Sequence, residues 1–154
     1  AAADRHADEA LATIEAELAG NRDLVQASME YHQGQVELIA DRMKAGEPVY
    51  PREFPKGFVF PAQVSATAWE VAKETGALAD MEYERVLALS AVYGAQDRYR
   101  VQAETIGGLI YEKMLEGGIE AIVDNHKNLL SVIYTFVYKE MALLEEYAAV
   151  LGEG

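Results

Sequence analysis

The stretch LATIEAELAGNRDLVQASMEYHQGQVELIADRMK, Leu11 to Lys44, decides the fold. Leu11, Ile14, Leu18, Leu24, Val25, Met29, His32, Val36 and Ile39 recur at steps near three, four and seven. That period lays apolar side chains along one face of an amphipathic helix. The spacing predicts a first long helix within residues 1–46, closed by Gly46 and Pro48. Gly20-Asn21 and Gly34 interrupt the pattern, and a kink is expected at Gly20-Asn21.

Working outward, the same period returns twice. A second long helix is expected over 80–116, with Asp80 as its N-cap and Gly117-Gly118 as its end. Met81, Val86, Leu89, Val92, Tyr93, Gln96, Tyr99, Ile106, Leu109, Ile110 and Met114 continue along it. A third covers 118–151, with Ile122, Val123, His126, Leu129, Leu130, Ile133, Phe136, Val137, Met141, Leu144 and Ala148 as its inner stripe. Residues 47–64 hold all four prolines, which deny the backbone helical hydrogen bonds. They also hold Val49, Tyr50, Phe54, Phe58, Val59 and Phe60, so this connector should pack down rather than swing free. A short helix follows within 65–78, with Ser65 as N-cap and Gly76 as C-cap. The expected fold is all-α: an elongated antiparallel helical bundle of three long helices, one short helix and an ordered Pro- and aromatic-rich connector.

Composition narrows the function. The 154 residues suffice for a single domain with a real core, and about half are hydrophobic. Against 13 basic residues stand 26 acidic ones, a formal charge of −13. That field repels phosphate backbones and anionic headgroups, so no nucleic-acid partner is expected. Cysteine is absent, which removes disulfides, thiolate metal sites and thiol nucleophiles. The longest apolar run, LLSVIYTFVY from Leu129 to Tyr138, falls well short of the ~20 residues that cross a bilayer.

Motifs of catalysis are missing. A carboxylate-bridged metal pair needs Glu-x-x-His on two helices. Ala3, Met29 and Val123 precede His6, His32 and His126 by three, so no histidine fits. HExxH, GxSxG and GxxxxGK[ST] do not occur. No catalytic, metal or cofactor residue is assigned. His32 and His126 lie on the apolar stripes, either as a shared metal or proton-transfer site or as core histidines bonded to neighbours. The second reading is preferred, because buried polar groups generally find partners without any further role. Gln96 and Arg98 are expected to join a polar network with Asn125 or His126. Glu15, Glu17, Glu30 and Glu37 are expected to face solvent.

Trp69, the one tryptophan, should anchor the short helix. Burying its ~150–250 Å² at ~25 cal/mol per Å² is worth at most about 4–6 kcal/mol. Tyr93, Tyr99, Tyr111, Tyr134, Tyr138 and Tyr147 line the later helices, as boundary residues or as a recognition surface. The residues singled out as a ligand or interaction surface are Trp69, Tyr93, Gln96, Tyr99, His126 and Tyr134.

The run from Phe54 to Tyr99 carries Ala68-Trp69-Glu70, then Thr75-Gly76-Ala77-Leu78, then the Tyr83 to Tyr93 helix. With the helix from Leu11 before it, it resembles a family of bacterial proteins that carry one N-terminal transmembrane helix, a soluble helical domain and no assigned activity. The resemblance implies an anchor upstream of Ala1 and, with it, a periplasmic or other extracytoplasmic location. The expectation is therefore a non-enzymatic interaction or sensing domain, with a protein partner or self-association. A bundle binding a small ligand near Trp69 and the tyrosines comes second, and a metal-dependent enzyme last.

Overall fold

The computed structural model describes residues 1–153. Four α-helices occur among them, and no strand: α1 Ala2–Ala45, α2 Thr67–Glu74, α3 Tyr83–Asp124 and α4 His126–Leu151. Short 3-10 turns at Pro51–Glu53 and Ala77–Asp80 lie between α1 and α3.

Helix α1 runs unbroken through Gly20 and Gly34, contrary to the expected kink. Both glycines sit on its exposed side. A lone exposed glycine costs about 1 kcal/mol, too little to break a helix held by its other face. That face is Ile14, Leu18, Asn21, Val25, Ser28, His32, Gln35 and Ile39, all buried. The steps alternate between four and three, the spacing of a coiled-coil seam. The apolar rule placed this seam imperfectly: Leu24 lies outside it, 47% exposed. Gly46 ends α1 in the left-handed conformation, φ 67°, and the Glu47 amide donates back to the Arg42 carbonyl at 2.9 Å.

The connector is ordered. Val49, Phe54 and Phe58 are buried, and the two phenyl rings lie 5.0 Å apart. Its backbone is tied down at successive points by side chains of other elements. Arg42 pairs with Glu53, and Gln35 Nε2 donates to the Glu53 carbonyl at 3.1 Å. Burial disfavours the charged Glu53 carboxylate, but the Tyr50 amide and the Arg42 guanidinium outweigh it and hold its carboxyl below the usual range.

Of three expected boundaries, two move. Ser65 does not cap α2; its amide and carbonyl are held by Asn21, and the helix starts one residue later, after Ala66. Ser65 Oγ still accepts a 3.3 Å bond from the Thr67 amide. Asp80 does not cap α3, because it belongs to the 3-10 turn; Glu82, with extended backbone, precedes the first residue Tyr83. The third, at Gly117-Gly118, holds: the backbone leaves helical geometry at Gly118, φ 73° and ψ 177°. The helical stretch from there to Asp124 buries Ile122 and Val123 and folds back, so that Ile106 and Ile110 before the break and Ile122 and Leu129 after it line one cavity. Asn125 joins this stretch to α4, and its carbonyl accepts the amides of Asn128 and Leu129.

Two apolar clusters form the core. One gathers Ile14, Leu18, Val25, Trp69, Leu89, Tyr93, Phe136, Leu143 and Tyr147. The other gathers Ile39, Val49, Phe54, Phe58, Ile122, Val123, Leu129 and Ile133. His32 falls between Val25 and Ile39 on α1, and Glu140 between Ile133 and Leu143 on α4, so the polar pair sits where the two clusters meet.

Candidate functional site: a sealed polar core and an open groove

His32 and Glu140 have no solvent exposure. Helix α1 presents His32 from its seam, and α4 presents Glu140 seven residues after Ile133 and seven before Tyr147, all three on one face. The Phe60 amide donates to His32 Nε2 at 2.8 Å. That nitrogen therefore holds a lone pair, and the imidazole proton resides on Nδ1. His32 Nδ1 donates to Glu140 Oε1 at 2.8 Å. The Tyr99 hydroxyl donates to Glu140 Oε2 at 2.7 Å and accepts the Ala62 amide at 3.0 Å. The order Phe60 N–H, His32, Glu140, Tyr99, Ala62 N–H closes with every donor and acceptor assigned once. The histidine is neutral and the carboxylate charged. Phe136 stacks on the imidazole at 5.1 Å, and Tyr31 meets it edge-on.

A second network lies one seam further toward the N-terminus of α1. Asn21 Nδ2 donates to Gln96 Oε1 and to the Ser65 carbonyl, both at 2.7 Å, and Asn21 Oδ1 accepts the Ser65 amide at 2.9 Å. Gln96 Nε2 donates to the same carbonyl at 3.0 Å, and the Tyr147 hydroxyl donates to Gln96 Oε1 at 2.6 Å. Glu17 makes a third node. It accepts the Tyr93 hydroxyl at 2.6 Å, and the Ser65 hydroxyl and Ala68 amide at 2.9 Å each. Glu17 does not face solvent as expected; three donors hold it against α2. Burial first, and then Glu17, Glu140 and Glu146 respectively, push the Tyr93, Tyr99 and Tyr147 phenols well above the ordinary tyrosine range.

The residues singled out from sequence divide. Trp69 is buried and stacks on Tyr93 at 5.1 Å and 12°. Tyr93, Gln96 and Tyr99 belong to the networks just described. His126 and Tyr134 do not join them: His126 Nδ1 donates to the nearby Val123 carbonyl at 3.1 Å, and Tyr134 is 60% exposed. His32 and His126 have separate partners and form no shared site. Gln96 meets Asn21 and Tyr147 rather than Asn125 or His126, and Arg98 stays at the surface. Asn21 and Glu140 were missed. The sequence signal was present in the heptad steps 14, 18, 21, 25 and 133, 140, 147, which pass through both.

Trp69, Tyr93 and Tyr147 fill space rather than line it. The open volume lies beside them: a groove of about 750 Å³ between α2 and the outer face of α1 from His6 to Leu24. Ala10, Ala16, Gly20, Ala68 and Ala72 line it with small side chains. Leu24 and Val71, both about half exposed, reach into it from α1 and α2. Trp69 turns its ring away, and its helical neighbours Ala68 and Ala72 form the wall.

No family model, curated protein or solved structure matches the chain. Among the described residues no group of three or more His, Asp or Glu is placed to hold a metal ion, and no helix is long and apolar enough to cross a membrane.

Proposed function

We propose that the chain is a non-enzymatic interaction or sensing domain whose docking site is the α1–α2 groove. The observation that carries this reading is the contrast between core and groove. The buried ionisable groups are occupied with one another, while the groove leaves Leu24 and Val71 half exposed over small-residue walls. Apolar surface left open in a concavity favours a partner. The small-ligand alternative has less support, since Trp69 and Tyr93 stack against each other and leave no gap between their rings.

We read the arrangement as an elongated antiparallel bundle of three long helices. The pairings of Arg22 with Glu153 and His32 with Glu140, then of Gln96 with Tyr147 and Tyr99 with Glu140, support opposed directions of α4 against α1 and α3. The resemblance carried by Ala68-Trp69-Glu70 and Thr75-Gly76-Ala77-Leu78 supports tethering to a bacterial membrane by a segment upstream of Ala1.

A photo-crosslinking side chain at Ala16, in the groove, tests the docking site in the native host. The expected outcome is a discrete adduct from Ala16 and none from the same group at Lys139 on exposed α4. Equal labelling from both positions, or from neither, ends the reading.

A further inference from the structure

We propose that the partner element seated in the α1–α2 groove is a basic amphipathic helix of another protein; this rests on the groove being the docking site. The shape argues for a helix. Groove residues on α1 extend from His6 to Leu24, a rise of about 27 Å. Ala10, Ala16, Gly20, Ala68 and Ala72 are short enough for a third helix backbone to approach closely along that length. Leu24 and Val71 supply the apolar contacts that a helix with one greasy face requires.

Charge decides the partner's other face. The groove residues include the carboxylates of Glu9 and Glu17 and not one lysine or arginine. Glu17 is fixed, with three neutral donors on its oxygens and no cation. Glu9 lies on the exposed edge, where only its backbone carbonyl is engaged, by the Thr13 hydroxyl. The two acids rise about 12 Å apart along α1, so cations two turns apart on the occupant meet both. The whole chain, at −13, adds a long-range attraction for such a segment and repels an acidic one. A second copy of the chain fits poorly, because acidic residues outnumber basic ones 26 to 13 and its lysines and arginines are scattered.

The probe is a synthetic, fluorescently labelled Leu/Ala/Lys helix of roughly 18 residues with lysines at i and i+7. A matched peptide carries glutamate in place of lysine. Anisotropy with the full chain should show binding of the lysine peptide and none of the glutamate peptide. Ala16→Phe, which fills the groove from an exposed helical position, should weaken binding at least about tenfold. Glu9→Lys should weaken it about fivefold or more, whereas Glu145→Lys on exposed α4 should change it less than about twofold. Circular dichroism checks that each variant stays helical. Unchanged affinity in Ala16→Phe overturns both the docking site and the partner. Loss in Ala16→Phe with no response to Glu9→Lys, or equal binding of the glutamate peptide, keeps the groove and overturns the basic partner. No binding of either peptide, or a wild-type dimer in sedimentation that Ala16→Phe makes monomeric, also overturns the basic helix.

Discussion

His32 and Glu140 are 108 residues apart in the chain, and their side chains meet at 2.8 Å with neither exposed to solvent. The imidazole joins three elements at once. It stands on α1, donates to α4 and accepts from the connector at Phe60. A charged carboxylate in such a place is costly unless each oxygen is bonded. Here His32 takes one oxygen and Tyr99 the other. A pair so fully engaged allows one alignment of α1 against α4, since sliding either helix by a turn orphans a buried charge. Its contribution lies in register more than in net stability.

Glu140→Ala should destabilise the fold by about 3–5 kcal/mol, because it leaves the His32 Nδ1–H and the Tyr99 hydroxyl buried without an acceptor. Met141→Ala, one residue on but at the surface, should stay within about 0.5 kcal/mol of the parent. Urea unfolding of both variants measures the contrast. Equal losses would mean that Glu140 does not occupy the core.

Alkaline pH should unfold the protein through its buried phenols. Tyr93, Tyr99 and Tyr147 have folded pKa values raised above the ordinary value, chiefly by burial. A raised folded pKa means that the stabilisation is fully present below the unfolded value, near 10, and is lost as pH climbs beyond it. Three such groups remove about 4 kcal/mol per pH unit in that range. Domains of this kind hold about 5–15 kcal/mol in total. Exposed phenols such as Tyr83, Tyr134 and Tyr138 should titrate first, and helix loss should then coincide with a second, cooperative rise in tyrosinate absorbance from the three buried ones. Titration of all nine phenols before any loss of helix would show the buried three to be open to solvent.

Ser28 offers the opposite case. Its hydroxyl is buried in the α1 seam and has no hydrogen-bond partner. An unsatisfied hydroxyl costs stability, and alanine is the better helix former. Ser28→Ala should stabilise the fold by about 1 kcal/mol, read as a higher melting temperature. A drop in melting temperature would reveal a bond that the hydroxyl makes in solution.

Much of this architecture is written in the spacing of apolar residues, and the exceptions share a cause. Ile14, Leu18, Val25 and Ile39 mark α1 because they are apolar and periodic, and Gly46 marks its end because φ there is positive. Phe54, Phe58 and Trp69 were legible as packing residues from size and apolarity alone. Glu140 was not. Given Glu140 beside Met141, the apolar rule chooses the methionine and turns the C-terminal half of the α4 stripe, which buries Glu140, Leu143 and Tyr147 rather than Met141, Leu144 and Ala148. Asn21 was read as a helix breaker for the same reason, since nothing local announces that Ser65 and Gln96 will satisfy its amide. The groove was equally hidden, because exposed alanines look alike in sequence whether or not a second helix stands opposite.

Trp69 links the core to that groove, so its replacement tests both. One side of α2 sends the indole onto Tyr93; Ala68 and Ala72 form the groove wall. The Ala68 amide is also held by Glu17, so α2 is seated by one ring stack and one carboxylate. Trp69→Ala should cost about 3–5 kcal/mol, whereas Trp69→Phe keeps a ring over Tyr93 and should cost less. Because the chain has a single tryptophan, its fluorescence reports this seat directly. Emission from the parent should be blue-shifted and shielded from a soluble quencher. In Trp69→Ala, amide exchange should quicken across 67–74 well before α1 and α4 lose protection, since removing the anchor frees α2 first. Uniform acceleration across all helices would instead make α2 part of one cooperative unit, and the wall of the groove would then be no easier to move than the core.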